Sequence, residues 1–320
     1  GEVVRGRANA VQVCNPPDVF WPLALVLRAL GRPWVFDHHD LCPEVYETRT
    51  AGRPQPLVYR TLVAFEWLTL RTASAVIATN ESFRDNALRR GVPERKLTVV
   101  RNGPALTEIA PPDPAQPTPA GPHHVVYLGV LGLQDNVEGV VLAAEELIRL
   151  RGRSGWRVTI AGDGERMTAL AKLVSERGLC DVVDFTGWLE GPEVDRLLRS
   201  ATVAIQPDLP TRMNDLSTMA KTVEYLARGV PVVAADLTET RRSAGAAASY
   251  VTQGRPEEFA RAINELLDDA PRREQMRTVA LARFAEQLAW EHQALRYVAL
   301  WDRLLKPRTA ATPPDPAAEA

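Results

Sequence analysis

The chain has 320 residues, 45% of them hydrophobic, and 38 Lys and Arg against 40 Asp and Glu leave a net charge of −2. That is the composition of a globular protein long enough for two domains, and its near-neutral balance excludes a dedicated nucleic-acid binder, whose affinity comes mainly from neutralising phosphates. Three cysteines without CxxC spacing (Cys14, Cys42 and Cys180) indicate neither a disulfide framework nor a zinc site, and the lack of a long apolar run or signal pattern argues against a spanning segment and for a cytoplasmic setting.

The chain opens on Gly1 rather than Met and leads quickly into a strand-like segment, so upstream sequence is expected. Apolar runs at 10–14, 34–37, 74–79 and 96–102 read as strands, separated by helical patterns near 20–30, 55–72 and 81–90. Residues 110–122, APPDPAQPTPAGP, hold six prolines that forbid helix and central strand, so this stretch reads as an extended linker. The rhythm resumes with strands at 124–130, 156–162, 182–187, 202–208 and 231–236, and helices near 136–151, 165–177, 191–199 and 218–228. A last long helix is predicted over 271–305, with Trp290, Tyr297 and Trp301 spaced along one face for core packing against the first half.

Buried strands alternating with helices imply an α/β protein with doubly wound parallel sheets. The organisation is then a first Rossmann-like domain over 1–109, incomplete at its start, the linker, and a second over 123–270. The 271–305 helices pack back toward the first, and the 306–320 tail, without a large apolar residue, is expected to be disordered.

Open parallel sheets bind ligands beyond the carboxyl ends of their strands. Three such segments carry chemistry. In FDHHDLCPE, residues 36–44, His39, His38 and Asp40 follow a buried strand and are candidates for acid/base or hydrogen-bonding work near neutral pH, or for capping backbone groups in a loop. Adjacent side chains on an extended segment point to opposite faces, which speaks against DHHD as a metal cluster. In AGDGER, residues 161–166, the backbone around Gly162 and Asp163 can receive an anion or simply make a tight turn.

In the third, residues 214–248, Ser217 or Thr218 can cap a helix that carries Lys221 in its first turn. Glu224 lies three residues on, so a phosphate donor sits beside a hydroxyl acceptor, or the two form a surface ion pair.

The stretch KTVEYLARGVPVVAADL resembles the C-domain signature of the retaining family 4 glycosyltransferases of the GT-B fold. YLGVLG at 127–132, AGDG at 161–164, FTGWL at 185–189 and SATVAIQPD at 200–208 fall in that family's order and spacing. VCNPPD at 13–18, DHHDLCPE at 37–44, IATNES at 77–82 and VVRNGP at 99–104 resemble the N-domain of a bacterial branch, so the resemblance covers about residues 10–305.

The resemblance implies a nucleotide diphosphate-sugar donor held mainly by the second half, a glycan, lipid-linked or small-molecule acceptor, no obligatory metal and no cofactor. Glu224 matches the glutamate that binds ribose hydroxyls, His39 the histidine that contacts the reacting sugar, and Trp188 falls where the base is held. Gly132, Gly162 and Asp163 join the donor positions. The family's other glutamate is replaced by Leu216, with Asp215 beside it, and its cationic phosphate clamp by Val130 and Asp135. Lys221, the helix end near Ser217 and Thr218, and more weakly Arg212 and Arg241 are left to neutralise a diphosphate.

The apolar segment 57–70 reads as packing within the first half; the alternative, docking on a membrane, predicts Trp67 and Phe65 exposed. Two other functions compete: a nucleotide-sugar epimerase of the same fold, and a non-catalytic or truncated sugar-nucleotide binding module.

Overall fold

The structure, a computed structural model, describes residues 5, 8–50, 52–109, 122–252 and 254–305. The first half runs β1 (Val11–Cys14), α1 (Trp21–Ala29), β2 (Trp34–His38), α2 (Cys42–Arg49), α3 (Pro56–Thr72), β3 (Ala75–Ala78), α4 (Glu81–Arg89) and β4 (Leu97–Val99). Its sheet is parallel in the order β1-β2-β3-β4. Every residue of β2 and β3 is buried, as a central parallel strand covered on both faces requires.

The second half runs β5 (His123–Leu128), α5 (Val137–Arg151), β6 (Trp156–Ala161), α6 (Met167–Glu176), β7 (Val183–Gly187), α7 (Gly191–Ser200), β8 (Val203–Gln206), α8 (Arg212–Leu216), α9 (Ala220–Ala227), β9 (Val232–Ala235), α10 (Thr238–Ala244), β10 (Ala248–Val251) and α11 (Pro256–Asp268). Its parallel sheet has the order β10-β9-β8-β5-β6-β7. The chain winds outward from β5 to β7 and then returns to lay β8 on β5's other side. The loops after β5 and β8 therefore diverge there, opening a crevice at the switch point.

The single helix expected over 271–305 is two. α12 (Ala270–Arg283) passes into a π-helical turn, Phe284–Leu288, and after an extended Ala289 the chain starts α13 (Trp290–Leu305). Phe284, Leu288 and Ala289 are buried with Val223 and Leu226 of α9, so core packing on the second half overrides helix continuity. α13 then lays Tyr297, Leu300, Trp301 and Leu304 on Val35, Ala75, Ile77 and Val100 of the first sheet. Trp290, at the first turn, stays 39% exposed and outside that cluster. α2, α8, α10, β10 and α11 are further elements beyond the expected set. Most of the expected linker, 110–121, and the tail, 306–320, lie outside the described residues. Among the described residues no helix is long and apolar enough to cross a membrane.

Candidate active-site cleft

Both halves contribute to one cleft of about 570 Å³, lined by His39, Asp40, Thr79 and Asn102 from the first and by Asp135, Asp208, Ser217, Thr218 and Glu224 from the second. The first wall begins at the end of β2, where pleating sends successive side chains to opposite sides. His38 turns inward: it is fully buried, stacked near Phe36, with Nε2 3.4 Å from Glu66 Oε1. His38 is therefore no cleft residue, and its place among the catalytic candidates is corrected. His39 turns outward, with Nε2 3.0 Å from Asp37 Oδ1. That carboxylate raises the imidazole above its ordinary value, outweighing partial burial.

Asn15, buried in the loop after β1, fixes this corner. Its Oδ1 accepts from His39 N at 2.7 Å and Asp40 N at 3.1 Å, while Nδ2 donates to Asp40 O and to Asp18 Oδ1.

The second wall is built at the switch point. A Cβ at Gly162 would fall on the Gly129 carbonyl oxygen, so only glycine lets the β5 and β6 loops meet. Lys221, in the first turn of α9, reaches under the β5 loop to pair with Asp135 Oδ1 and Asp208 Oδ1, each at 2.9 Å, with the Tyr127 ring 5.1 Å away. Burial opposes the ammonium charge, yet Asp208 and Asp135 together push its pKa up. Its charge is thus spent inside the protein. Lys221 and Glu224 part company: Glu224 lines the cleft and accepts from Arg228 Nη1, while Lys221 is buried behind it.

Ser217 and Thr218 line the cleft but do not cap α9, whose N-cap is Met219 without a side-chain bond. Ser217 Oγ instead donates to Met213 O, and Thr218 Oγ1 accepts from Asn80 Nδ2 of the first half at 3.1 Å. Asn80 Nδ2 also donates to Leu216 O, while its Oδ1 caps α4 at Phe83 N. Beside it Arg101 pairs with Glu81 and with the buried Glu239 of α10, and Ser82 donates to the same Glu239. This polar seam ties the two halves together next to the cleft-lining loop 216–219.

The remaining expected residues fall elsewhere. Leu216 packs its side chain against Leu41, Ala78 and Phe83; Asp215 accepts from Thr238 N and Oγ1; Asp163 accepts from Gly164 N. Gly132 lines a neighbouring cavity of about 1020 Å³ with Val130, Glu47, Arg49, Leu209 and Arg212. Trp188 is 74% exposed. Arg212 faces Glu44 across the halves, and Arg241 is paired with Asp236. Asn15, Asn80, Arg101 and Asp208 escaped the sequence reading as individual residues, although each sits in a motif it quoted.

Two parallel α/β domains facing across a crevice at a switch point define the GT-B fold. A crystal structure of Anabaena Alr3699/HepE in complex with UDP shares it, with a TM-score of 0.76 at 18% identity over 95% of this chain and 81% of that one. Residues 2–103 match the glycosyl transferase 4-like domain and residues 122–269 the family described as glycosyl transferases group 1, so the chain belongs to the glycosyltransferases. It is 32% identical to an α-D-kanosaminyltransferase of Streptomyces kanamyceticus over 154 residues, 48% of this chain but only 38% of that protein. It is 26% identical to a 2-deoxystreptamine glucosyltransferase of the same organism over 317 residues, 94% of this chain and 79% of that one.

Proposed function

We propose that the protein moves a sugar from a nucleotide diphosphate-sugar to an acceptor with retention of configuration, in the cytoplasm, without a metal or cofactor. The observation that carries this reading is the convergence of His39 and Asp40 with Ser217, Thr218 and Glu224 on one cleft. The bond from the anomeric carbon to the diphosphate breaks with its electron pair going to the phosphate. The acceptor oxygen bonds the same face of that carbon, and its proton passes to the departing phosphate. Stabilising the charge on that phosphate is the main catalytic task. The first N–H groups of α9, which have no carbonyl to bond within the helix, and Arg212 at the adjoining cavity serve it in place of Lys221. Glu224 binds the ribose hydroxyls, His39 the sugar, and Trp188 the base.

Among the acceptor classes the lining favours a small molecule. Asp40 and Glu108 line the cleft beside Asp135, Asp208 and Glu224, whose charges Lys221 and Arg228 offset, and the first two carboxylates suit an acceptor bearing amines and hydroxyls. The name of the 2-deoxystreptamine glucosyltransferase points the same way. Membrane docking through 57–70 finds partial support, since Leu57 and Trp67 are exposed but Phe65 is half-covered.

The test is thermal shift against UDP, GDP, ADP and dTDP sugars, on the protein and on Glu224→Ala. A ligand at a hundred times its Kd adds about 2.7 kcal/mol. A shift with one nucleotide series that vanishes in the variant supports the donor site; no shift with any series removes it.

A further inference from the structure

Three donor side chains of different chemistry meet on one face of the first sheet, behind His39. Cys14 ends β1 and is the register partner of Asp37 on β2, so their side chains leave the same face. His39 follows Asp37 by two and leaves that face too. The alternation that separates His38 from His39 therefore brings His39, Asp37 and Cys14 together, and their donor atoms lie within 4.8 Å of one another.

Asp37 shows that the group is set for a ligand. It is 8% exposed, and among the described residues its buried Oδ1 meets no donor besides His39 Nε2. His39 Nε2 is paired with it at 3.0 Å, so imidazole and carboxylate already converge. Two atoms sharing a tetrahedral ion at about 2.1 Å from each lie about 3.4 Å apart, so ligation asks for only a slight opening of this pair. The other carboxylate oxygen is already held: Gln12 Nε2 donates to Oδ2 at 2.7 Å, and Tyr297 Oη of α13 donates to Gln12 Oε1 at 2.6 Å. Asn15 fixes the backbone of His39 from the other side. Supported ligands of this kind are what a metal site needs beyond its donors.

We propose that Cys14, Asp37 and His39 form a zinc-class site, completed by water, whose occupation withdraws His39 from the cleft and inhibits the enzyme. A thiolate, an imidazole and one carboxylate select Zn²⁺ or Co²⁺ over Mg²⁺ or Mn²⁺, which prefer oxygen alone. Cys14 is exposed, so an ion reaches the site from solvent, and the thiol gives up its proton on ligation. Inhibition rests on the transferase reading above; binding does not.

Binding is tested by titrating Co²⁺ into the reduced protein under a non-thiol reductant and following thiolate-to-cobalt absorption. The expected result is one ion per chain, an absorption lost in Cys14→Ser, kept in Cys180→Ser, and an affinity at least tenfold weaker in Asp37→Asn. Unchanged melting temperatures in the metal-free variants show that they remain folded. No absorption, or one that survives Cys14→Ser, overturns the site. Once a donor and acceptor are known, Zn²⁺ should inhibit the parent protein and spare Cys14→Ser, whose activity in chelator equals the parent's. Equal inhibition of both overturns the inhibitory role while leaving the binding result standing.

Discussion

The two walls of the cleft are held by different physics. On the first half, neutral amides hold the backbone at the cleft itself, Asn15 gripping His39–Asp40 and Asn80 the 216–219 loop, with the Arg101–Glu239 pair set behind them. On the second, a buried ammonium between two carboxylates pins the β5 and β8 loops to α9. An amide bond lost leaves one or two groups unsatisfied. An ion lost leaves opposite charge stranded in a poor dielectric, so the second wall is the more brittle.

The largest effect should come from Lys221→Met, which strands Asp135 and Asp208 and should cost about 3–5 kcal/mol in urea unfolding. Adding Asp135→Asn and Asp208→Asn to it should recover most of that loss. If the triple variant is no more stable than the single one, the contrast between the walls fails.

A titration sharpens the contrast next. His124 on β5 is buried against Ser200 and Thr159, and burial, helped by Arg157, lowers its pKa from 6.5 to about 4. Between these values the unfolded chain binds a proton that the folded chain refuses. Its contribution is therefore complete above about pH 6.5 and is lost as pH falls toward 4, a swing of about 3 kcal/mol at most. Comparing unfolding free energies of the parent and His124→Gln at pH 7 and 4.5 should show the slope flattened in the variant.

The smallest change in stability belongs to the first wall. Asn80→Ala removes a helix cap, worth about 1 kcal/mol. Because Asn80 also sets the 216–219 loop, kcat should fall about tenfold with little change in the acceptor KM. A loss confined to stability, with kcat intact, would leave Asn80 as a cap alone.

Strands were the most legible part of the sequence, because a central parallel strand must be a run such as VVAA or AVIA. α2 was hidden for the opposite reason: CPEVYETR has no apolar periodicity, and its buried residues include Glu44. The break between α12 and α13 was invisible because helix formers flank it and the π turn answers to packing on α9. At the site, His39 and Glu224 could be read from their motifs. The fate of Lys221 could not, since its partners lie 86 and 13 residues away in the chain and meet it only once the switch point forms.

The chain crosses between its halves twice, and the crossings touch. A Cβ on Gly103 would lie 2.8 Å from Leu288 O, and Trp290 N donates to Pro104 O at 3.1 Å. A single connecting strand works as a ball joint; two laid side by side work as a door hinge, free to swing about one axis and stiff against twist. The paired crossings thus resist twist between the halves more than a single connection would. Any side chain at Gly103, itself on the cleft lining, would act as a wedge in that hinge, pressing on Leu288 O and Val223.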